Sequence, residues 1–135
     1  MTRHELLRRV WANEDQMQAD CWQYAYNEYI ELHGLYFHVP NGGFRDVREG
    51  LKFKGMGVLA GTPDIVNMYN VPCGIELKME YQRNLKNGGL SDNQVKIHKR
   101  WRAAGREVYV VYNANEYLWI LENKVIKKEI IFTLA

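Results

Sequence analysis

The sequence predicts a three-layer α/β or α+β domain, in which helices flank a mixed sheet. Helix-like and strand-like segments alternate in the order helix, strand, short helix, two strands, helix and strand, which is the first observation behind this class. The second is composition. The 135 residues are 47% hydrophobic and 25% charged, which is ordinary for a globular protein and suits a single domain over residues 1–135.

A long helix is predicted over residues 12–34, ending near Gly34. A mostly apolar stripe at helical spacing marks the face that should pack on the core, and it consists of Gln18, Trp22, Ala25, Tyr29 and Leu32. One turn earlier the same stripe reaches Glu14. We therefore expect the core-facing side of this helix to end in a carboxylate.

The next segments predict most of the sheet. Residues 35–40 ("LYFHVP") form a strand that stops at its proline, and a loop and a short helix over residues 44–55 follow. Residues 64–69 ("DIVNMY") and 74–79 ("GIELKM") form two strands joined by a turn at 70–73. These two strands should therefore lie side by side.

The second half contains the most clearly delimited helix. After a polar, mobile-looking loop at residues 80–89, Ser91 fits the N-cap of a helix and Gln94 completes a capping box. Gly105 fits the helix end. Three further segments are predicted: a strand at 107–112, another strand at 116–121, and a short strand or final helix within 124–134.

Several classes of protein do not fit the sequence. No apolar run approaches the roughly 20 residues of a membrane span, and the N-terminus lacks the features of a signal peptide. Cys21 and Cys73 are far apart, which favours reduced thiols in a cytosolic protein over a disulfide scaffold or a zinc site. The net charge of +2 is too small to indicate nucleic acid by itself.

Three charged residues stand out in the two adjacent strands. Glu76 and Lys78 point to the same face, because side chains alternate along a strand. Counting outward from the turn places Asp64 opposite residues 78–79, within about a residue. The three side chains are therefore expected to converge at one edge of the sheet.

Two carboxylates that meet in this way repel each other, so the pKa of one should rise unless a cation is bound. Mg²⁺ relieves the conflict, since it prefers a few carboxylates together with waters and substrate phosphates. The carbonyl of Leu77 is a further candidate ligand beside Asp64 and Glu76. Lys78 is then placed to hold or activate a water and to offset developing charge.

Structural explanations remain open for each residue taken alone. Glu76 and Lys78 can form a salt bridge while Asp64 caps a turn after Pro63. Glu14 can match the dipole of its helix. A bare D…E-x-K pattern is short and common, so the order of the surrounding landmarks decides between these explanations.

That order resembles the PD-(D/E)XK nuclease superfamily, and more closely its VRR-NUC family, the virus-type replication-repair nucleases. The resemblance covers residues 14–112 and rests on four segments in a fixed order: "VPNGGFR" (39–45), "GTPDI" (61–65), "IELK" (75–78) and "GGLSDNQ" (88–94). It implies a restriction-endonuclease-like fold with a core of helix, three strands, helix and strand.

The resemblance also implies a DNA-cleaving site that uses Mg²⁺ or Mn²⁺. It assigns Asp64 and Glu76 as metal-binding acids and Lys78 as the catalytic lysine. Glu14 matches the acid of the first helix, where Glu5, Asp15 and Glu28 are nearby alternatives, and Gln94 matches a glutamine that reaches the site. Nothing is carried over to the basic first ten residues or to the tail after Asn113.

The resemblance also favours the basic stretches as contacts to DNA phosphates. Residues 96–106 contain five Lys or Arg and no acid, and we expect Arg102 to add to DNA affinity with its neighbours. The predicted DNA-binding residues are Asn41, Gly42, Gly43, Arg45, Ser91, Lys96, Lys99 and Arg100. Ordinary turn chemistry explains "NGG" equally well, and a solvated helix face remains the alternative for the basic helix.

The resemblance thus implies a Mg²⁺-dependent endonuclease that acts on DNA and is selective for branched DNA such as a Holliday junction. Its small size favours a homodimer that places two sites on two strands. The family name points to a phage or prophage origin, hence to the cytoplasm of a bacterial or phage-infected cell. The rivals are a DNA-binding module without cleavage, which the intact acids and lysine disfavour, and a restriction or tRNA-processing nuclease, which "VPNGG" and "LSDNQ" disfavour.

Overall fold

A computed structural model describes residues 1–40 and 47–127, without the side chains of 47–49 and 53. The helices are α1 (Arg3–Leu7), α2 (Glu14–Glu28), α3 (Val47–Gly55), α4 (Asp92–Ala103) and α5 (Ala114–Ile120). The strands are β1 (Tyr36–His38), β2 (Ile65–Asn67), β3 (Cys73–Leu77) and β4 (Glu107–Val111). The predicted order of elements from the first long helix to β4 is confirmed.

The four strands form one mixed sheet in the order β1-β2-β3-β4. β1 and β2 pair antiparallel, as do β2 and β3, whereas β3 and β4 pair parallel. The parallel pair needs a crossover, which α4 supplies. This is the predicted α/β architecture, with helix, three strands, helix and strand at its core.

The main apolar core lies between one face of the sheet and helices α2 and α5. Ile65, Ile75 and Leu77 reach it from the sheet, and Tyr117 and Leu118 reach it from α5. The stripe predicted for the first helix is confirmed in part. Ala25 and Leu32 are buried, and Trp22 and Tyr29 pack against the core. The helix also buries Met17, Cys21 and Tyr24 on an adjacent stripe, which was not predicted.

The first helix also ends earlier than predicted. Tyr29 leaves the helix with an extended backbone, and a short 3-10 turn at Ile30–Leu32 follows. Trp22, from the predicted stripe, lies at the margin of the core and donates from its indole N–H to the carbonyl of Tyr36 at 3.1 Å.

The opposite face of the sheet packs on α4. A side chain at Gly74 would meet Pro63 at 2.7 Å and the ring of Trp101 at 3.1 Å, so the helix lies close to β3 at this glycine. Val108 of β4 is buried. The charged residues of β3 lie on this same face, because Gly74, Glu76 and Lys78 alternate with core residues.

The segment predicted as a strand at residues 116–121 is the helix α5 and the start of a π-helical turn, Leu121–Val125. Asn113 caps the helix by accepting from the amide of Glu116 at 2.9 Å. Tyr117, Leu118 and Leu121 are buried at helical spacing. β-Branched and aromatic content favoured a strand, and the cap together with tertiary burial overrides that preference. Residues 128–134 of the predicted tail element lie outside the described residues.

The polar loop predicted as mobile is held in place by hydrogen bonds. It forms two 3-10 turns, Glu80–Asn84 and Lys86–Gly89. The Tyr112 hydroxyl donates to the carbonyl of Gly88 at 2.7 Å and fixes the second turn to the end of β4. The loop therefore delivers the chain to the start of α4 in a defined position.

Cys21 and Cys73 are free and buried. Burial raises the pKa of the Cys21 thiol, so it is not an activated thiolate. Among the described residues, no helix combines the length and apolarity needed to cross a bilayer.

Candidate active site

Asp64 and Glu76 lie directly opposite each other on neighbouring strands. Ile65 pairs with Ile75, so the residue before β2 faces Glu76 of β3. The expected position, opposite residues 78–79, was therefore wrong by two to three residues. The connection is longer than the predicted turn: it starts after Asn67, whose buried amide binds the carbonyls of Tyr69 and Val71 and the amide of Tyr69.

Each carboxylate accepts a backbone amide from the opposite strand. The amide of Leu77 donates to Asp64 Oδ2 at 2.8 Å, and the amide of Asp64 donates to Glu76 Oε2 at 2.9 Å. This reciprocal pair fixes both side chains at the end of the β2–β3 ladder. We call Asp64 and Glu76 the carboxylate pair.

The carboxylate pair is electrostatically strained. Glu76 is 0% exposed. Burial raises its pKa to about 9, the nearby charge of Asp64 adds to the rise, and Lys78 opposes it. Burial also raises the pKa of Asp64, and the Leu77 amide opposes that rise. Without a cation, the pair therefore retains a proton at neutral pH.

Lys78 follows β3 on the same face as Glu76 and is 7% exposed. Its ammonium lies 3.7 Å from Glu14 Oε1, and the side chain of Glu14 is 42% exposed. The predicted structural alternative, a salt bridge between Lys78 and Glu76, is absent among the described ion pairs. Of the acids considered for the first helix, Glu14 is the one that pairs with Lys78.

Gln94 has two roles at once. Its carbonyl oxygen accepts from the amide of Ser91 at 2.9 Å, and Ser91 Oγ accepts from the amide of Gln94 at 3.2 Å, which confirms the predicted capping box. The other end of the same amide donates to Glu76 Oε1. Gln94 therefore caps the helix and contacts Glu76 with the same side chain.

Gly61 allows the loop before Asp64 to approach the start of α4. Its φ is +95°, and a β-carbon there would lie 2.5 Å from the carbonyl oxygen of Asn93. Any other residue would displace the first turn of α4 and with it Gln94. The glycine thereby couples the position of the carboxylate pair to that of the helix.

The predicted DNA contacts divide into two groups. Ser91, Lys96, Lys99 and Arg100 are exposed on α4. Arg102, expected to add to DNA affinity, instead pairs with Glu107 at 2.8 Å and donates to the carbonyl of Val108. Asn41, Gly42, Gly43 and Arg45 lie outside the described residues.

Three polar residues near the site were not assigned a role from the sequence. His38 Nδ1 donates to the carbonyl of Asp64 at 2.7 Å. His98 follows Gln94 by one helical turn, is 1% exposed, and has no hydrogen-bond partner at either ring nitrogen. Burial lowers its pKa to about 4, and Arg102 and Lys78 add to this effect, so the ring is neutral. The amide of Gln18 is likewise buried without a partner. The four-residue spacing from Gln94 to His98, about one helical turn, is the sequence signal that could have placed His98 next to Gln94.

The site provides few protein ligands for a metal ion. Within residues 1–40 and 47–127, no three His, Cys, Asp or Glu side chains come together as a metal-binding group. Any ion here would rest on the two acids, a backbone oxygen, and oxygens of water or phosphate. That donor set is the one Mg²⁺ accepts, since it keeps several waters and takes one or two carboxylates. The raised pKa of the carboxylate pair fits a site that requires a cation.

The likeness to solved structures decides the fold family. A structure described as a VRR_NUC domain protein superposes with a TM-score of 0.66 at 19% identity, covering 84% of this chain and 88% of that one. The chain has the VRR_NUC fold. A second structure, described as a VRR_NUC domain, matches at 21% identity over 79% of this chain and 96% of that one, with a TM-score of 0.48. No family model and no curated protein matches the sequence.

At 19% identity, the first comparison supports the VRR_NUC fold alone. The chemistry must be argued from the residues of the site. The elements that position the carboxylate pair, Lys78 and Gln94 are β2, β3 and α4.

Proposed function

We propose that this chain is a metal-dependent DNA endonuclease that hydrolyses phosphodiester bonds with Mg²⁺ or Mn²⁺. One observation carries the proposal: a buried acid (Glu76), a half-buried acid (Asp64), a lysine and a glutamine meet on one face of a VRR_NUC fold. The pKa of both acids is raised by burial. Buried like charges of this kind are retained where a ligand or a reaction requires them.

The residues would divide the work as follows. Asp64, Glu76 and the carbonyl of Leu77 hold the ion. The Leu77 amide already points to Asp64, and in an antiparallel ladder a residue directs its N–H and C=O to the same neighbouring strand. An ion bound there would supply a water of lowered pKa and would neutralise charge on the phosphate.

The other side chains orient Glu76, the attacking water and the DNA, and they offset charge on the phosphate. Gln94 holds Glu76 Oε1, which leaves the carboxylate in one orientation. Lys78 places an ammonium beside the attacking water and offsets negative charge as it develops on the phosphate. Glu14 holds that ammonium from the helix side. Lys96, Lys99 and Arg100 of α4 contact DNA phosphates and fix the register of the substrate.

The substrate class rests on the resemblance to VRR-NUC nucleases, and the assembly rests on the size of the domain. A domain of 135 residues has little surface with which to hold a branched substrate alone. We infer a homodimer that acts on junction-like DNA in replication, recombination or repair, in the cytoplasm of a bacterial or phage-infected cell. Light scattering at micromolar concentration should give the dimer mass, and a monomer both with and without DNA would refute the dimer.

A cleavage panel tests the proposed reaction. Duplex, single-stranded, flap and four-way DNA are incubated with the protein in Mg²⁺, in Mn²⁺ and in EDTA. We expect products only with a metal ion, and most from the four-way substrate. The Lys78→Met variant of the same preparation controls for contaminating nucleases. A folded wild-type protein that binds DNA and cuts none of these substrates would refute the enzyme and favour the binding module.

A further inference from the structure

A cavity of about 350 Å³ lies beyond the carboxylate pair, between the end of α4 and the loop that joins β2 to β3. Val66, Met68, Pro72 and Trp101 supply its apolar walls. Arg100 and Arg106 lie at the same cavity, and none of its described lining residues is acidic. We call it the Trp101 pocket.

Val66 of β2 and Trp101 of α4, which line the Trp101 pocket, lie on the same face of the sheet as the candidate active site. Val66 follows Asp64 by two residues on β2, so their side chains share a face about 7 Å apart. Trp101 follows Gln94 by seven residues, or two helical turns, which places it on the same side of α4 about 10 Å further along. The pocket therefore lies within about one to two nucleotides of a phosphate held at the carboxylate pair.

The charge of the Trp101 pocket is uncompensated among the residues that the structure describes. Neither Arg100 nor Arg106 forms an ion pair within the part of the chain that the structure describes, and Arg106 reaches only the carbonyl of Gly105 at 3.4 Å. Arg102, between them in sequence, is bound to Glu107. Two guanidinium groups beside an aromatic wall match a ligand with an anionic group and a flat ring.

A nucleotide is the ligand that combines these two features. Bases stack on aromatic side chains without regard to sequence, and arginine binds phosphate through paired N–H groups. The volume is at the lower limit of ligand pockets, which suits one base and excludes a base pair. A base that enters must therefore be unpaired.

We propose that the Trp101 pocket holds one unpaired nucleotide next to the cleaved bond, with its base on Trp101 and its phosphate on Arg100 and Arg106. This rests on the proposed function only in taking DNA as the substrate. It gives that substrate a structural requirement, an unpaired base close to the cut, which fully paired DNA, whether a duplex or the arms of a four-way junction, meets only by base flipping.

Binding without cleavage tests the pocket. Fluorescence anisotropy in EDTA compares a labelled duplex with the same duplex carrying one unpaired nucleotide at a bulge. We expect the wild type to bind the bulged DNA about tenfold more tightly, within the range that one base–aromatic stack supplies. Trp101→Leu should abolish this preference and Trp101→Phe should retain most of it.

The basic residues provide a matched control. Arg100→Ala/Arg106→Ala should weaken binding of the bulged DNA more than of the duplex. Lys99→Ala removes an exposed charge on the same helix outside the pocket, so it should weaken both DNAs by the same factor. Thermal melts verify folding. Should Trp101→Leu unfold because of its contact with Gly74, the arginine variant still decides the question.

The outcomes separate the two proposals. A wild type with no preference for the bulged DNA, or a folded Trp101→Leu that keeps it, overturns the pocket. An arginine variant that behaves like Lys99→Ala overturns it as well. If the wild type binds neither DNA, the proposed function itself fails. If it cuts DNA with Mg²⁺ but shows no preference, only the pocket fails.

Discussion

Two groups of charged side chains in this protein differ in burial and in pairing. The carboxylate pair brings two like charges together, and burial raises the pKa of both. Just after the end of β4, Arg83 bridges Glu80 at 2.9 Å and Glu116 at 2.8 Å. Asn113 donates to the same Glu80 at 2.9 Å, and Arg83 lies over the ring of Tyr112. We call this second group the Arg83 network.

The difference indicates which group performs chemistry. In the Arg83 network, hydrogen bonds from Arg83 lower the pKa of Glu80, so each charge has its partner within the protein. In the carboxylate pair, the counter-charge is insufficient and a further cation would complete it. Exposed, balanced ion pairs position a chain segment, whereas buried, unbalanced acids mark a site for a ligand.

Removing the ammonium of Lys78 should have the largest effect on activity. Because Lys78 is buried, its aliphatic stem packs against neighbours, so Lys78→Ala would also remove packing that the sequence did not indicate. Lys78→Met keeps the stem. We expect single-turnover cleavage to fall about a hundredfold to a thousandfold with DNA binding retained. A folded Lys78→Met protein that cuts at the wild-type rate would remove this residue from the mechanism.

The pH dependence of stability distinguishes the two groups next. A folded-state pKa raised from 4.5 to about 9 at Glu76 favours folding at acid pH, and this contribution is lost as the pH rises toward 9. The metal-free protein should therefore lose several degrees of Tm between pH 5 and pH 9. Glu76→Gln should flatten the slope, and Glu80→Gln in the Arg83 network should leave it unchanged.

Mg²⁺ should reverse this loss, since it binds the ionised acids. At a hundredfold excess over its Kd, a ligand stabilises the folded state by about 2.7 kcal/mol. Equal slopes in all three proteins, with no gain from Mg²⁺, would show that the carboxylate pair is electrostatically ordinary.

The basic face of α4 should affect binding and spare the chemistry. Lys96, Lys99 and Arg100 are exposed and form no ion pair within the described residues. Neutralising all three should reduce the salt slope of duplex binding by about 0.9 for each phosphate that the variant no longer neutralises. An unchanged slope would show that these three side chains are solvated and do not contact DNA phosphates.

The Arg83 network should give the smallest effect. Arg83→Ala removes two exposed ion pairs, so Tm should fall slightly and the cleavage rate should stay near that of the wild type. A loss of cleavage as large as that of Lys78→Met, in a folded protein, would mean that the 3-10 turns before α4 control Gln94.

Much of the fold was predictable because its signals are local. The capping box of Ser91 and Gln94 and the alternation in β3 depend on neighbours in sequence, and both were found. Asp64, Glu76, Lys78 and Gln94 were selected from motifs, and the structure brings them together. The helical nature of α5 was missed, because its burial depends on contacts with distant elements.

The register of β2 and β3 was missed for a similar reason. It depends on Asn67, a buried amide that organises a longer connection than a turn-residue count predicts. The ion pair between Lys78 and Glu14 was also not predicted, since the two residues are far apart in sequence, although both had been assigned to the site. The Trp101 pocket could not be predicted from the sequence, because it forms where α4 packs against the loop between β2 and β3. Interactions between distant segments thus account for most of what the sequence left open.

The most direct test of the central claim is a Mn²⁺ titration at pH 8 in which electron paramagnetic resonance measures the free ion. We predict that the wild type binds Mn²⁺ and that Glu80→Gln, which removes an acid from the Arg83 network, binds it equally well. Asp64→Asn, which removes an acid from the carboxylate pair, should lose that binding while remaining folded. Binding that Asp64→Asn retains in full, or a wild type that binds none, would contradict the assignment of Asp64 and Glu76 as the metal site.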